Sequence, residues 1–356
     1  VPVLYDAWAT AMEAHAKVVS AVGRSVDGAV MIAERADLPH ETHVWRARPR
    51  SAPEPASENL DVLETEGVRE GLDDLDVRPV GAVVDALLDA EGKLASVLDG
   101  ARDGLVDAVT IVEAALRRGG RLLYVGAGTP GRLAALDAAE CPPTFGTPPG
   151  LVEAILAGGD GAASAAVEGA EDMSSEAEKA LDVRDVGSND VVVGISASGR
   201  TPFVLAAIHR ARERGAATVG VVNNADSPIV DAADVAVELL TGPEVVGGST
   251  RLTAGTSQKV ALNALSTATM VRLGKTYGPH MVDVVASNHK LRRRASRIVR
   301  EVCGVDDATA TAALEAAEWQ AKTAIVALLA GIGADEARAR LGDGDGRVRS
   351  AVEEGS

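Results

Sequence analysis

The sequence predicts an α/β fold, a doubly wound parallel sheet flanked by helices, with a small helical module at its C-terminal end. Three observations predict it. Short apolar runs near 122–125, 151–157, 190–196, 217–222 and 234–240 alternate with stretches of helical period. Two of these runs end in small, glycine-containing loops that lead into a Thr-Pro pair, at 126–130 and 197–202. Finally, 46% of the residues are hydrophobic but only 2% aromatic, so the core must be mostly Ala, Val and Leu. That composition suits helices packed on a parallel sheet.

The chain has 356 residues, enough for one large or two modest domains. Its formal net charge of -17 argues against nucleic acid or an anionic membrane as a partner. A phosphorylated small molecule stays open, because its site needs only local donors. Cys141 and Cys303 stand apart from any C-x-x-C pattern, so neither a disulfide framework nor a zinc site is expected. A reducing, cytoplasmic setting follows most simply. No apolar stretch approaches membrane-spanning length, and no basic-then-apolar leader opens the chain. The first residue is Val1, which reads as a fragment or a lost initiator.

Residues 1–60 read as a separate N-terminal piece. Residues 6–22 suit an amphipathic helix, 25–33 a buried segment, and the Pro-, Arg- and Ser-rich stretch 48–57 a linker. Residues 61–300 hold the alternating pattern. From Pro79 to Arg118 the spacing is helical: Val83, Val84, Leu87 and Leu88 form one stripe, and Leu105, Val109, Val112 and Leu116 another. The run Leu122–Val125 has no helical period and ends at Gly126, as a central parallel strand does. Thr129 suits an N-cap and Pro130 the first helical position. That helix is expected to break at Glu140-Cys141-Pro142-Pro143, leaving Glu140 in front of two rigid residues. After the second strand, 162–180 reads as helix with a break near Gly169 that aims Glu171 or Asp172.

The third strand turns through Ser196-Ala197-Ser198-Gly199-Arg200-Thr201 into a helix over 203–214. Strands at 217–222 and 234–240 follow, then a loop of small polar residues from Gly242 to Arg251 and a long helix with Leu262, Leu265, Met270 and Leu273 inward. Residues 288–300 are basic, with Arg292, Arg293 and Arg294 in a row, and read as a solvated face or a subunit contact. Residues 301–356 form the helical module: two or three short alanine-rich helices around Trp319, then a polar end that frays from Asp343.

Ligands of doubly wound sheets sit beyond the carboxyl ends of the strands, where both glycine loops lie. Gly126-Ala127-Gly128-Thr129-Pro130-Gly131 fits the G-x-G-x-x-G pattern of a dinucleotide site. The acid that should end the next strand is missing, because Ala157-Gly158-Gly159 stands there, so dinucleotide binding is a minor alternative. The loop 196–201 offers three hydroxyls and several N–H groups at a helix start, which suits a phosphate monoester. Helix capping by Thr201 accounts for one hydroxyl and leaves Ser196 and Ser198 over. Glu140 and Glu171 are the candidate acid and base. His209, His280 and His289 show no metal spacing, and no metal or cofactor is expected.

Five stretches in this order, 124–133, 136–146, 167–172, 191–202 and 242–252, resemble the N-acetylmuramic acid 6-phosphate etherase family. Its members are sugar-isomerase-type (SIS) domain proteins of flavodoxin-like architecture, related to the animal glucokinase regulatory protein. The resemblance runs from about Leu63 to about Val352. It implies a cytoplasmic lyase that converts N-acetylmuramic acid 6-phosphate to N-acetylglucosamine 6-phosphate and D-lactate, in peptidoglycan sugar recycling, without metal or nucleotide. It implies that Glu140 protonates the departing lactate oxygen and Glu171 removes the carbon-bound proton. Ser198, Gly199, Arg200 and Thr201 would hold the phosphate, and Gly128, Thr129, Ser249 and Thr250 would line the sugar pocket. It also implies a homodimer with sites shared between subunits. The chain departs from the family's pattern at Pro130 (usually serine), Thr253 (usually lysine), Ser196 (often alanine), and Arg69 and Leu72, where asparagine and serine are usual. A non-catalytic sugar-phosphate regulator and an isomerase of another phosphosugar are the alternative functions. Residues 1–60 faintly resemble the tail of a sugar-kinase domain.

Overall fold

The computed structural model describes residues 63–353 except 285, 287 and 344, together with an antiparallel pair of two-residue strands, Val30–Met31 with Trp45–Arg46. The expected helix at 6–22 and the linker at 48–57 lie outside the described residues.

Five strands make one parallel sheet: β1 (Leu122–Gly126), β2 (Val152–Leu156), β3 (Val191–Ser196), β4 (Ala217–Val222) and β5 (Val235–Glu238). Their spatial order is β2-β1-β3-β4-β5, with Gly126 opposite Leu156 on one side and Ile195 on the other. The order reverses between β1 and β3, which makes a crevice at their carboxyl ends.

The strands are buried on both faces, so they read as continuous apolar runs rather than alternating ones. The period-2 pleat then sorts their side chains. Leu122, Tyr124, Val191, Val193 and Ile195 point into one core with helices α3 (Arg102–Arg117), α4 (Gly128–Phe145) and α8 (Thr253–Arg272). Leu123, Val125 and Val192 point into a second core with α5 (Ser174–Val183), α6 (Pro202–Glu213) and α7 (Pro228–Ala232). Two helices, α1 (Val80–Glu91) and α2 (Leu94–Gly100), precede α3. Gly126 and Gly131 let β1 and α4 touch: a Cβ on Gly126 would sit 2.7 Å from the Gly131 nitrogen. The third glycine of the loop therefore serves strand-to-helix packing.

Four expectations are corrected. First, α4 does not break at the prolines. It runs through Pro142 and Pro143 to Phe145 and ends at Gly146, in the left-handed region. Packing of Ala134, Cys141 and Phe145 into the first core outweighs the two backbone bonds that the prolines remove. Second, α4 begins at Gly128 with Ala127 as N-cap, so Thr129 does not cap it and Pro130 is its third residue. The first four N–H groups of a helix have no partner within it, so Pro130 loses no helical bond. Third, the break near Gly169 is present, at φ 71°, but the helix expected before it is not: short 3-10 turns at Asp160–Ala163 and Ala170–Asp172 precede α5. Fourth, the chain end does not fray from Asp343. Helix α13 (Val348–Glu353) buries Val348 and Ala351.

The C-terminal helices α9 (His289–Cys303), α10 (Asp307–Ala316), α11 (Ala321–Ala330), α12 (Ala334–Asp343) and α13 share a third core around Ile298, Leu314 and Ile325. The hairpin Thr276–Tyr277/His280–Met281 leads into them. Lys322, on α11, pairs with Asp283 at 2.7 Å and donates to the Gly346 carbonyl. Burial holds its ammonium below the usual lysine range, against the pull of Asp283. Among the described residues no helix is long and apolar enough to cross a membrane.

Candidate active site

The carboxyl ends of the five strands gather most of the residues that the sequence singles out. β1 leads to Gly128 and Thr129, the loop after β2 leads to Glu171, β3 leads to Ser198–Thr201, and the loop after β5 carries Ser249 and Thr250.

The loop after β3 is preorganised by its own hydroxyls. Ser196 Oγ lies 2.7 Å from Thr201 Oγ1 and 3.2 Å from Ser198 Oγ. It accepts the Gly199 N–H at 3.0 Å, and Ser198 Oγ accepts the Arg200 N–H at 3.2 Å. Thr201 does stand at the N-cap of α6, but its side chain bonds Ser196 rather than the helix. These bonds fix the shape of the nest at the start of α6.

Gly199 is the pivot of this loop. Its φ of 67° lies in the left-handed region. A Cβ there would fall 2.1 Å from Ser227 Oγ, and the Gly199 carbonyl accepts the Ile229 N–H at 3.1 Å. The start of α7 is therefore docked directly beneath the nest.

Thr129 and Thr250 meet over Gly255. The space a Cβ would take on Gly255 lies 3.4 Å from Thr129 Cγ2 and 3.3 Å from the Thr250 carbonyl oxygen. Ser249 and Thr250 are half-buried and belong to a tight turn closed by Ser249 N–H to Val246 O and Thr250 N–H to Gly248 O. Gly128 is exposed at the mouth.

The two carboxylates lie in different places. Glu171 is exposed in the 3-10 turn before α5, whose Ala170 is buried in the core that holds Phe203 of α6. This turn packs on α6, the helix that starts at the hydroxyl nest. Glu140 is exposed on α4, twelve residues beyond Gly128, roughly 18 Å along the helix axis at 1.5 Å per residue. Within one chain the structure does not bring Glu140 to the strand ends.

One turn earlier on α4, Asp137 is buried and receives Tyr124 OH at 2.9 Å and Ser266 Oγ at 3.0 Å. Burial raises its carboxyl above the usual range, against these two donors. The Asp137 bonds tie α4 to β1 and α8. Beside it the Cys141 thiol is pushed by burial to about 12, which makes it inert at neutral pH.

Sequence reasoning misses a polar layer behind the site. Glu244 is 1% exposed, and its carboxylate accepts the N–H groups of Thr253 and Ala254, at 3.0 and 2.9 Å. Asn223 donates to Leu239 O and Ser257 Oγ and accepts from Gln258. Asn224 donates to Thr65 Oγ1 and Ala197 O. Asn223 and Asn224 directly follow β4, and the strand-end rule applied to that strand would have found them. Thr253 has a local reason to be threonine: its hydroxyl donates to the Glu91 carboxylate at 3.3 Å.

Residues 105–212 match the glucokinase regulatory protein N-terminal SIS domain, and residues 166–268 match the SIS domain. The N-acetylmuramic acid 6-phosphate etherase of Mycolicibacterium smegmatis is 50% identical over 294 residues, which cover 83% of this chain and 99% of that protein. The etherase of Geobacillus thermodenitrificans is 55% identical over 245 residues, 69% of this chain and 83% of the relative. The Rubrobacter xylanophilus etherase is 49% identical over 298 residues, 84% of this chain and 98% of the relative. A match that spans nearly the whole of two such relatives places the chain: it belongs to the N-acetylmuramic acid 6-phosphate etherase family.

Proposed function

We propose that the protein cleaves the D-lactyl ether of N-acetylmuramic acid 6-phosphate, giving N-acetylglucosamine 6-phosphate and D-lactate. The observation that carries this is the 50% identity to an etherase of which the chain covers 99%. The activity is that of a carbon–oxygen lyase followed by hydration, and it belongs to peptidoglycan sugar recycling.

The residue roles are part of the proposal. The hydroxyls of Ser198 and Thr201, the backbone of Gly199 and the side chain of Arg200 take the phosphate at the start of α6, where the helix dipole favours an anion. Gly128, Thr129, Ser249 and Thr250 line the sugar. With the ring open, Glu171 removes the proton on the carbon beside the aldehyde. Glu140 gives a proton to the ether oxygen as the carbon–oxygen bond breaks, and D-lactate leaves. Water then adds to the unsaturated aldehyde, which restores the hydroxyl and completes a net hydrolysis. An alkoxide is a poor leaving group, so the step needs an acid and a base held in opposite protonation states.

The distance along α4 supports a homodimer in which Glu140 acts in the partner's site. Leu136 stands one turn before Glu140 on the same face of α4 and is 49% exposed, an apolar neighbour that suits a subunit contact better than solvent. A reducing cytoplasm is the compartment proposed.

The test is direct. Purified protein given N-acetylmuramic acid 6-phosphate should release D-lactate, measured with a coupled dehydrogenase. Glu140→Gln and Glu171→Gln should each lower kcat by about a hundredfold or more, the usual size of a general acid–base contribution. Folded wild-type protein that releases no lactate would overturn the proposal.

A further inference from the structure

The basic segment lies on α9, the first of the C-terminal helices that share the third core. Helix α9 carries Lys290, Arg292, Arg293, Arg294, Arg297 and Arg300 against one carboxylate, Glu301, in a chain whose net charge is -17. The six cations line a cavity of about 760 Å³, together with the Asp307 carboxylate and Thr311 of α10 and with Trp319. That volume lies in the range of small-molecule sites.

The cations here differ in how far they are neutralised. Arg297 faces Glu301 at 3.6 Å, and Arg300 faces Asp307 at 3.4 Å. The Arg292 guanidinium lies over the Trp319 ring, 4.9 Å from its centroid. Lys290, Arg293 and Arg294 have no carboxylate within ion-pair distance among the described residues. With Arg297 they recur at three- and four-residue intervals and so follow one side of the helix over roughly 10 Å. Trp319, which lines the cavity, stands in an unusual backbone conformation. Glu318 and Trp319 are consecutive non-glycine residues at φ 54° and 63°. Such backbone persists where the surroundings impose it, and it clusters at ligand clamps.

We propose that this groove is a second ligand site, which takes a small polyanion carrying two or three linked phosphates. A single phosphate meets one or two of the cations; a short phosphate chain meets the row. Arginine guanidiniums match phosphate oxygens in pairs. A long polyanion or an anionic membrane would also meet the acidic remainder of the surface, and the charge of the whole chain disfavours both. The groove belongs to the C-terminal helices, apart from the strand ends, so it does not rest on the etherase proposal.

The experiment uses the full chain with inorganic tripolyphosphate as the probe, followed by titration calorimetry at low salt. Wild-type protein is expected to bind one equivalent at the groove, with affinity falling as salt rises. A Lys290→Gln/Arg293→Gln variant, which changes two exposed side chains, should bind at least about tenfold more weakly. Its Tm, its affinity for N-acetylglucosamine 6-phosphate and its lactate release should match wild type. Trp319 emission should shift on binding, and Trp319→Phe should remove that shift. The inference is overturned if tripolyphosphate does not bind, or if the double variant binds it equally well. It is also overturned if only a DNA 20-mer or phosphatidylserine vesicles bind, or if the variant changes the oligomeric state, which would make the groove a subunit contact.

Discussion

At the scale of single residues, the loop after β3 turns on Gly199. A side chain at Gly199 meets two obstacles at once. The backbone sits at φ 67°, and Ser227 Oγ fills the space where a Cβ would go. Gly199→Ala is therefore expected to lower stability by about 1–3 kcal/mol. It should also weaken N-acetylglucosamine 6-phosphate binding, because the Arg200 and Thr201 donors move with it. Adding Ser227→Gly should recover part of the Tm, since it removes the contact but not the backbone strain. Thermal melts and calorimetry on the three proteins check this; a variant as stable as wild type would show that α7 can yield.

At the scale of elements, α4 runs from Gly128 at the strand ends to the turn that carries Glu140. Pro142 and Pro143 lack the N–H groups that would bond the carbonyls of Ala138 and Ala139, in the turn that carries Glu140. Proline in a helix interior is about 3 kcal/mol less favourable than alanine, so the pair costs stability exactly where the proposed acid sits. Pro142→Ala/Pro143→Ala should raise the Tm and lower kcat for lactate release by about tenfold, the exchange of stability for activity expected where strain serves function. An unchanged kcat would mean the prolines do not position Glu140.

The same helix shows what the sequence could and could not disclose. The five strands are legible because burial on both faces makes them unbroken apolar runs, and their glycine loops mark the carboxyl edge. The hydroxyl nest is legible because Ser196, Ser198 and Thr201 outnumber what capping requires. The passage of α4 through two prolines is not, since local preference forbids it and only packing of Cys141 and Phe145 permits it. Glu244 and Asn223 are hidden for the opposite reason: their partners, Thr253 and Leu239, come from other parts of the chain. The alanine-rich stretch 162–180 reads as helix by propensity, yet its first half is held by contacts such as Arg132 to the Ala162 carbonyl.

At the scale of the whole molecule, Glu140 sits roughly 18 Å along α4 from the strand ends that carry the nest. A two-fold dimer can bring one subunit's Glu140 to the other's strand ends. The prediction concerns mixed subunits. Glu140→Gln and Glu171→Gln proteins, each inactive alone, are unfolded together and refolded as a 1:1 mixture. If a site draws Glu171 from one subunit and Glu140 from its partner, half the dimers are mixed and each has one intact site, so about a quarter of wild-type activity returns. If one subunit supplies both carboxylates, none returns. The stripe Val80, Val84 and Leu88 on α1 is exposed and is a second apolar face open to the proposed dimer.

The carboxylate of Glu244, sealed against the first two N–H groups of α8, has a consequence for direction. Two long helices, α6 and α8, begin near the rim of the strand ends. One has its positive end open at the hydroxyl nest; the other is already neutralised from within. Among the described residues the rim is therefore polarised, with an open helix start on one side and a neutralised one on the other. For the sugar phosphate proposed as substrate this leaves one way round to lie, with the end that carries no phosphate beside Thr129 and Thr250.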